Sequence, residues 1–471
     1  MAQPGTVDAA AVRSHLGRIV GPTHVLTGDL ASGYEVDWTG RFGGPSLCVI
    51  RPGSADEVSG VLSFLHGSGI GVVVQGGNTG LVGGGVPGPT QPPAVILSTR
   101  RLDRIGEVDD LSGQVTAEAG VTLGTLQRHA SAAGWHYGVD LAARESATIG
   151  GTVATNAGGT HVIAHGMTRA QVTGVAAILP DGTALSHLGG LVKDNTGYDI
   201  AGLLCGSEGT LAVITSVRLR LHRPSPPVTV GLVGVPDYRA ALALMAQARA
   251  RAATGSALLA AEVIDETGLR LVMDLTGLPW PLRHHHRLVV LLEVADGGDA
   301  SGLPFTDDDD AVVGCDAVAR ARLWEYRERQ SEAFSALGVI HKLDVSLPLP
   351  VLADGAEGLC ELVAQYPGVT EFGVFGHLGD GNLHVEIAGP SPDDRAIDRA
   401  VFAYVADRGG SISAEHGVGR AKAADLHLCR PAAQVAAMAA VKHAWDPQWQ
   451  MNPGVIFAQP PGEQARPQVS D

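Results

Sequence analysis

Two histidines flank a glycine-rich turn at residues 376–384, and an acidic residue and a third histidine follow at Glu415 and His416. Imidazole nitrogens and carboxylate oxygens are ligands for divalent cations, and two histidines with one carboxylate leave coordination positions open for a substrate. This pattern predicts a metal site made of His377, His384 and Glu415.

The turn between the two histidines determines whether they can share an ion. Asp380-Gly381 predicts a two-residue loop, since a type I′ turn needs a positive φ at both central positions. Strands are then expected over 371–375 and 383–387, with His377 directly opposite His384 and their Cβ atoms roughly 4.5–5.5 Å apart. The alternative is a polar hairpin that binds nothing, because the spacing of two histidines is weak support by itself.

Alternating apolar and amphipathic segments elsewhere in the chain predict the elements that must hold this hairpin in place. Strands are predicted at residues 47–51, 71–75, 94–98, 113–119, 210–221 and 288–294, and helices at 55–66, 123–133, 238–254, 317–337 and 392–408. A further hairpin is predicted at 175–185, and the proline-rich residues 224–227 predict a domain boundary.

The composition is that of a soluble globular protein with more than one domain. The chain has 471 residues, of which 45% are hydrophobic and 17% are charged, so two or three domains are expected. The chain contains no apolar run of about 18 residues, which predicts no membrane span. Residues 1–10 lack the features of a secretory signal, and a cytoplasmic location is therefore expected.

The charge and the cysteines exclude some classes of function. The net charge is −16, from 33 Lys and Arg against 49 Asp and Glu, which disfavours nucleic acid as a partner. An anionic substrate would need local positive charge or a metal. The 5 cysteines have no iron–sulfur or redox-pair spacing, so reduced thiols are expected.

A second group of residues suited to chemistry is the glycine-rich loop 76–85, which follows a predicted strand. Backbone N–H groups in such a loop form a concavity that suits a pyrophosphate. A Rossmann-type helix cannot follow, because Pro87 and Pro89 interrupt it. Glycine content alone leaves a flexible loop without a ligand as the alternative. Two more blocks of small residues, 148–159 and 206–211, favour a long, flat ligand such as a dinucleotide.

These segments resemble a known family. Residues 74–84 resemble the pyrophosphate loop of the vanillyl-alcohol-oxidase-type FAD flavoproteins, and residues 149–159 and 205–211 resemble its second and third FAD-contacting blocks. Five further segments resemble the D-2-hydroxy-acid dehydrogenase branch of that family: 323–328, 344–348, 377–384, 414–417 and 452–454. The resemblance extends from about residue 34 to residue 457.

The resemblance implies an α+β fold with a two-part PCMH-type FAD-binding domain and a separate cap domain. The FAD-binding domain is expected over residues 1–223, with its core from about residue 43, and the α+β cap that binds the substrate over 226–410. A C-terminal helical segment, 411–458, would return to the flavin. Residues 459–471 are expected to be a frayed tail.

The resemblance also implies the residues that hold the cofactor. FAD is expected to bind without a covalent link, since the pyrophosphate loop contains no histidine or cysteine. The residues that match its contacts are Gln75, Gly76, Gly77, Asn78, Thr79, Gly80, Gly83, Gly84, Ser146, Gly150, Thr152, Asn156, Gly166, Glu208, Gly209, Ile214 and Asn452.

The remaining matches concern the metal, the base and the substrate. In the family, the positions of His377, His384 and Glu415 hold a divalent metal, usually zinc, with manganese or iron also possible for this set. His416 matches the position of the base, with a role as a further metal ligand as the alternative. The positions that match substrate contacts are Arg327, Ser331, Lys342 and Glu386.

Two of these positions have a simpler interpretation, and a third departs from the family's usual residue. Arg327 could be an exposed helical arginine paired with a glutamate, and Lys342 could be a solvated charge on an edge strand. Glu386 stands where many relatives carry an amide that contacts the substrate. A carboxylate there would repel a substrate that carries two negative charges.

The function that the resemblance implies is FAD-dependent oxidation of a D-2-hydroxy acid to the 2-oxo acid, by hydride transfer to flavin N5. D-2-hydroxyglutarate is the favoured substrate, and a D-lactate dehydrogenase or a glycolate-oxidase-type enzyme is the alternative. No nicotinamide motif is present, so the expected electron acceptor is an electron-transfer flavoprotein, a quinone or oxygen. A homodimer is expected. The rivals from other classes are a metal-dependent hydrolase without flavin and an FAD-binding subunit without redox activity.

Overall fold

The computed structural model describes residues 8–89, 94–252 and 257–458. The tail that was expected to fray, residues 459–471, lies outside the described residues. In the part of the chain that is described, no helix is both long enough and apolar enough to cross a membrane.

The N-terminal part of the chain combines short helices with two small sheets. Its helices are α1 (Ala9–Val20), α2 (Asp29–Glu35), α3 (Ala55–Leu65), α4 (Leu123–Ala132), α5 (Ile149–Thr155), α6 (Val162–His165), α7 (Thr168–Gln171) and α8 (Ile200–Leu204). Its strands are β1 (Val25–Leu26), β2 (Cys48–Ile50), β3 (Gly71–Gln75), β4 (Ala94–Ser98), β5 (Gln114–Glu118), β6 (Val172–Ile178), β7 (Ala184–His187) and β8 (Val213–Arg220). A 3-10 turn spans Pro22–His24.

The two small sheets share one hydrophobic core. The first sheet has the strand order β1-β2-β4-β3, with β4 parallel to both β2 and β3. The second has the order β5-β8-β6-β7 and is antiparallel. Val72 and Val95 of the first sheet pack in the same apolar cluster as Val115 and Val217 of the second. This shared core holds the glycine loop after β3 close to the segment that begins α5.

The cap is built on one large antiparallel sheet. Its strands are β9 (Val228–Val235), β10 (Ala257–Asp265), β11 (Leu288–Ala295), β12 (Ala311–Gly314), β13 (His341–Ser346), β14 (Glu371–His377) and β15 (Asn382–Ala388). Its helices are α9 (Tyr238–Ala252), α10 (Glu266–Thr276), α11 (Ala317–Glu328), α12 (Gln330–Ser335), α13 (Leu349–Ala364) and α14 (Arg395–Ala406). Over the described residues the strand order is β12-β9-β11-β10-β14-β15-β13.

The two faces of the cap sheet differ in character, because successive residues of a strand point to opposite faces. One face is mainly apolar, and residues such as Val263 and Leu343 pack there against α9, α13 and α14. On the other face, residues such as Leu291 pack under α10, α11 and α12. Buried charged residues occupy the rest of this second face. The candidate functional site is therefore expected there.

After the cap, the chain returns to the N-terminal part. A 3-10 helix at Ala423–Leu428 leads into α15 (Ala432–Trp445). Met451 then pairs with Val72 of β3 in a parallel bridge, and Lys442 Nζ donates to the carbonyl of Thr210. The sequence-based boundary at residues 224–227 falls between β8 and β9.

The predicted register of the hairpin that carries the two histidines is wrong. Residues 378–381 form its loop, and His377 lies opposite Asn382, while His384 lies opposite Phe375. The two histidines are therefore diagonal neighbours and not direct partners. Because the register differs by an even number of residues, both still point to the same face of the sheet.

The type I′ turn predicted for this hairpin is also absent. Gly381 has a φ of +82°, but Asp380 is not among the residues with positive φ. The backbone N–H groups of both residues instead donate to the carbonyl of His377. This wider loop replaces the predicted two-residue turn.

The single helix predicted at 317–337 is divided into α11 and α12, with the non-helical Arg329 between them. The side-chain amide of Gln330 donates to the carbonyl of Tyr326 at 2.7 Å. That oxygen is the one a continuous helix would offer to the backbone N–H of Gln330.

Candidate functional site

Three cross-strand pairs on the polar side of the cap sheet form the floor of the candidate site: Glu262–His377, Asp344–His384 and Lys342–Glu386. Opposed residues of antiparallel strands share a face, with Cβ atoms roughly 4.5–5.5 Å apart. Strand register alone therefore brings each pair into contact. We call these six residues the charged face.

The contacts within the pairs are close. Nδ1 of His377 lies 2.8 Å from Oε1 of Glu262. Nζ of Lys342 lies 3.0 Å from Oε2 of Glu386. Nδ1 of His384 lies 3.8 Å from Oδ1 of Asp344. Each pair thus joins one carboxylate to one basic side chain, and each of the six side chains is almost fully buried.

Glu415 enters from the C-terminal segment and faces the histidines. Its Oε1 lies 3.5 Å from Nε2 of His384 and 3.7 Å from Nε2 of His377. Nε2 of His416 lies 3.8 Å from the same oxygen. The other carboxylate oxygen, Oε2, accepts a 3.0 Å hydrogen bond from the backbone N–H of Gly159 in the second glycine-rich block. Glu415 therefore contacts both the cap and the N-terminal part of the chain.

Asp344 fixes the backbone that carries Glu415. Its Oδ2 accepts hydrogen bonds from the backbone N–H groups of Ala414, Glu415 and His416, at 3.0, 2.9 and 2.9 Å. Its Oδ1 accepts a 2.8 Å hydrogen bond from the amide of Asn382. Hydrogen bonds to a carboxylate are stronger than those between neutral groups, so this one buried side chain sets the position of the loop.

The local charges control which of these groups is protonated. Burial acts to lower the pKa of His377, but Glu262 and Glu415 raise it to about 10. Burial lowers the pKa of His384 well below its ordinary value. Burial acts to raise the pKa of Glu415, yet the two histidines hold it well below its usual range. A neutral imidazole and an ionised carboxylate are the forms that bind a cation. His384 and Glu415 therefore already have the binding form, whereas His377 would release a proton when a cation binds.

The donor set fits a divalent cation. Two imidazole Nε2 atoms and one carboxylate oxygen, from His377, His384 and Glu415, converge from two parts of the chain. Glu262 holds Nδ1 of His377 and so leaves Nε2 for an ion, which is the common arrangement behind a metal-bound histidine. The assignment of these three residues as ligands stays a prediction.

Two further side chains lie near these predicted ligands. In the described chain, Asp344, His384, Glu415 and His416 present ligand atoms that all lie within 4.8 Å of one another, and His377 is not part of this group. Both oxygens of Asp344 already accept hydrogen bonds, so we assign this residue a supporting role. His416 keeps the two roles that the sequence left open, because its Nε2 faces Glu415 while its buried Nδ1 has no hydrogen-bond partner in the described chain.

Arg327 is not the exposed helical arginine of the simpler interpretation. The residue is 8% exposed, and its Nε donates a 2.7 Å hydrogen bond to Oε2 of Glu262. Its Nη2 lies 3.4 Å from Nε2 of His377. The predicted substrate arginine thus lies at the site, already paired with a carboxylate of the protein.

Lys342 is likewise not a solvated charge, although β13 is an edge strand. Its Nζ contacts Glu386 and also donates to the backbone carbonyl of Ser331 at 3.1 Å. Burial raises the pKa of Glu386, while the charge of Lys342 opposes that shift. Ser331, Lys342 and Glu386 are therefore in contact, while Arg327 contacts Glu262 and His377. The three charged residues among these four predicted substrate residues are all engaged with other groups of the protein.

The predicted pyrophosphate loop lies against the start of α5. A Cβ on Gly76 would be 2.3 Å from Oγ1 of Thr148, and a Cβ on Gly77 would be 2.0 Å from the carbonyl of Ser146. Only glycine permits this approach. A Cβ on Gly80 would meet nothing within 4 Å, so the far part of the loop faces open space. A tight backbone wall beside an open space fits the pyrophosphate of FAD.

The third predicted block joins the same wall. Asn452 accepts a 2.7 Å hydrogen bond from the backbone N–H of Val74 and donates to the carbonyls of Glu208, at 2.6 Å, and Gly84, at 3.3 Å. A Cβ on Gly209 would be 2.8 Å from the Asn452 amide. The C-terminal return is therefore pinned to the pyrophosphate loop.

One predicted cofactor residue has a different partner. The carboxylate of Glu208 accepts hydrogen bonds from the backbone N–H groups of Val418 and Gly419, at 2.7 and 2.8 Å. It therefore holds the loop that follows His416. Its neighbour Ser207 has a buried hydroxyl without a hydrogen-bond partner among the described residues, which leaves a donor for a ligand.

The other predicted FAD residues lie in the same region of the N-terminal part. Gly150 packs on Ala119, where a Cβ would be 2.6 Å from the alanine methyl group. Asn156 and Gly166 adopt positive φ angles. The remaining ones lie in β3, the glycine loop, α5 and β8: Gln75, Asn78, Thr79, Gly83, Thr152 and Ile214. The contacts of all of them with FAD stay a prediction.

Glu262 and Asp344 are two functional candidates that were not predicted from the sequence. Glu262 interrupts the apolar run of β10, and Asp344 lies between the apolar residues Leu343 and Val345 of β13. A charge inside a buried strand must have a partner, and this signal could have identified both. Their particular partners, His377 and the backbone at 414–416, depend on the fold.

Comparisons with known proteins agree with this architecture. Residues 46–187 match the family described as FAD binding domain, and residues 225–456 match FAD linked oxidases, C-terminal domain. A 4-ethylphenol oxidase from Gulosibacter chungangensis has a similar fold, with a TM-score of 0.73 and 17% identity over 99% of this chain and 100% of that chain. This confirms the expected two-part PCMH-type fold.

Curated relatives cover most of the chain. The mitochondrial D-2-hydroxyglutarate dehydrogenase of Bos taurus is 36% identical over 89% of this chain and 78% of its own length. A Schizosaccharomyces pombe protein that is named provisionally as a mitochondrial D-lactate dehydrogenase is 33% identical over 89% of this chain and 83% of its own length. The chain therefore belongs to the FAD-linked oxidase family that includes the D-2-hydroxyglutarate dehydrogenases, and it is an FAD-dependent oxidoreductase.

Proposed function

We propose that the protein oxidises a D-2-hydroxy acid to the 2-oxo acid with FAD as the oxidant and a divalent cation as an aid. The names of the relatives supply two candidate substrates, D-2-hydroxyglutarate and D-lactate. D-2-hydroxyglutarate carries a second carboxylate, and D-lactate does not. The sequence favoured D-2-hydroxyglutarate, and the pairing of Lys342 with Glu386 weighs against that preference.

The observation that supports this proposal most is the position of Glu415. One of its carboxylate oxygens faces His377 and His384, and the other accepts a hydrogen bond from Gly159. Gly159 belongs to a block that resembles the FAD-contacting segments of the family. A substrate held at the histidines would therefore lie next to the flavin, as hydride transfer requires.

The protein's own residues would hold the substrate and take its proton. When bound, FAD supplies a two-electron acceptor and the cation supplies Lewis acidity. The α-hydroxyl proton would pass to Nε2 of His416, and the hydrogen on Cα would leave with its electron pair. Arg327 lies beside His377, where its guanidinium would meet the α-carboxylate. His377, His384 and Glu415 would hold the cation.

The electron acceptor, the assembly and the location are further parts of the proposal. We favour an electron-transfer flavoprotein or a quinone as the acceptor, because the sequence has no nicotinamide motif. A homodimer and a cytoplasmic location stay predictions, and both relatives described above are named as mitochondrial proteins.

The test is anaerobic reduction of the bound flavin by a panel of D- and L-2-hydroxy acids. Bleaching of the visible flavin spectrum by D-acids and not by their L-forms would support the proposal. Bound FAD that no D-2-hydroxy acid reduces would contradict it.

His416→Ala tests the proton acceptor. This variant should keep its FAD and its metal content but lose flavin reduction by the D-acid. The exposed His427 gives the matched control, since His427→Ala removes an imidazole far from these contacts. Loss of the metal from His416→Ala would assign the residue to the ligands instead, and normal flavin reduction would exclude both roles.

A further inference from the structure

Each lysine or arginine that contacts the charged face is paired with a carboxylate of the protein. The pairs are Arg327 with Glu262 at 2.7 Å, Lys342 with Glu386 at 3.0 Å, and Lys422 with Asp344 at 3.8 Å. Glu415 is the remaining carboxylate, and it faces the histidines. Among the described residues of this face, no cation is left over for a second anionic group of a substrate.

Lys342 is the cation whose position matters most for the substrate side chain. Its Nζ contacts Oε2 of Glu386 and donates to the carbonyl of Ser331. The side chains of Lys342 and Glu386 are only 7% and 4% exposed. The ring of Trp38, from the N-terminal part, lies 5.7 Å from the same ammonium group. The charge of Lys342 is thus compensated inside the protein and shielded from solvent.

This pair lies beside the histidines. Glu386 is two residues after His384 on β15 and points to the same face, which places the two Cα atoms roughly 6.5–7 Å apart. The side chain of an acid held between the histidines and His416 would extend towards this pair.

We propose that Glu386, by holding Lys342 in an internal ion pair, makes the site select a D-2-hydroxy acid whose side chain carries no second carboxylate. This inference rests on the proposed oxidation of D-2-hydroxy acids. A second carboxylate would approach a buried carboxylate whose lysine is already engaged, and it would have to displace Glu386 to gain a partner. An uncharged side chain meets the aliphatic part of Lys342 and the ring of Trp38 without that cost.

The test compares two substrates of equal chain length, D-2-hydroxyglutarate and D-2-hydroxypentanoate, by steady-state turnover of the holoenzyme with an artificial dye as the electron acceptor. The wild-type protein should show a kcat/KM at least about tenfold higher for D-2-hydroxypentanoate. Glu386→Gln should raise the ratio of kcat/KM for the dicarboxylate over the monocarboxylate by at least about tenfold, because Lys342 becomes available. Glu386→Gln combined with Lys342→Met should not raise it.

The outcomes separate this inference from the proposed function. Flavin reduction by D-acids with a wild-type preference for D-2-hydroxyglutarate would overturn the inference alone. A ratio that Glu386→Gln leaves unchanged would also overturn it. Flavin that neither acid reduces would overturn the proposed function, and the inference with it. The substrate preference of the wild-type protein is measured without any variant. It therefore tests the inference even if the Glu386→Gln protein fails to fold.

Discussion

Glu415 accepts a 3.0 Å hydrogen bond from the backbone N–H of Gly159, although the two residues are 256 positions apart in the chain. The same side chain faces His377 and His384 through its other oxygen. The metal-ligand set that the sequence suggested and the block that resembles an FAD contact are therefore joined through one carboxylate. A change on either side should affect the other.

Gly158→Ala should weaken metal binding from the FAD side. A Cβ at Gly158 would be 2.9 Å from Oε2 of Glu415 and 3.2 Å from a methyl group of Val162, so the carboxylate must move. We expect roughly tenfold weaker Zn²⁺ or Mn²⁺ binding, measured by calorimetric titration. Gly189→Ala is the control, because a Cβ there meets nothing within 4 Å. Equal affinity in the two variants would contradict the role given to Glu415.

Glu262→Gln should weaken metal binding from the cap side. The amide cannot hold Nδ1 of His377 as a carboxylate does, and the loss of a partner behind a metal-bound histidine typically lowers affinity by about 10–100-fold. The control is Glu293→Gln on the same face of the sheet, whose carboxylate contacts His161 and Trp324 instead. If both variants lost affinity equally, a general effect on the sheet would explain the result better than support of His377.

Asn452→Ala should loosen FAD. The substitution leaves three backbone groups of the N-terminal part without their partner, and each unsatisfied buried group costs about 1–3 kcal/mol. We expect a lower Tm and faster release of FAD. The release is measured as the rise in flavin fluorescence on heating. Asn195→Ala, at an exposed position, should leave both unchanged. FAD release at the wild-type rate would show that the C-terminal return does not support the cofactor loop.

The unfolding free energy should depend on pH through His165. Burial, together with the charges of His222 and His136, lowers the pKa of His165 from 6.5 to about 4. The folded form therefore resists protonation, so stability is full above pH 6.5 and is lost as the pH falls from 6.5 towards 4. With the partial exposure of the ring taken into account, we expect a loss of about 1–2 kcal/mol.

Urea unfolding of the holoenzyme at two pH values, one above and one within this interval, measures the effect. Between these two pH values, the unfolding free energy of His165→Asn should fall by about 1–2 kcal/mol less than that of the wild-type protein. A pH dependence identical in the two proteins would mean that His165 titrates at its ordinary pKa in the folded state.

Local sequence predicted much of the framework that carries the site. The strands at Gly71–Gln75 and Ala94–Ser98 have the predicted bounds, because apolar β-branched runs between glycine-rich turns have few other options. The helix predicted at 55–66 is present as α3, and the side chain of Ser54 caps it by accepting a hydrogen bond from the backbone N–H of Glu57. The three glycine-rich blocks come together as expected of a surface that a flat ligand covers.

The rest of the site depends on contacts that local sequence does not contain. The choice between a two-residue and a wider loop at the hairpin depends on how β14 and β15 pair with β10 and β13. The contact between Glu262 and His377 joins residues far apart in the chain and follows only from the strand order of the cap sheet. The pairing of Lys342 with Glu386 has the same origin, and it changes the expectation for the substrate.

The most direct test of the central claim is the dependence of flavin reduction on the metal. The holoenzyme would be treated with a chelator, desalted and divided, and one part reloaded with Zn²⁺ or Mn²⁺. Each part would be mixed anaerobically with a D-2-hydroxy acid while the visible flavin spectrum is recorded. The stripped protein should keep its FAD but reduce it roughly a hundredfold more slowly, with recovery on reloading. Reduction at the same rate with and without metal would contradict the account.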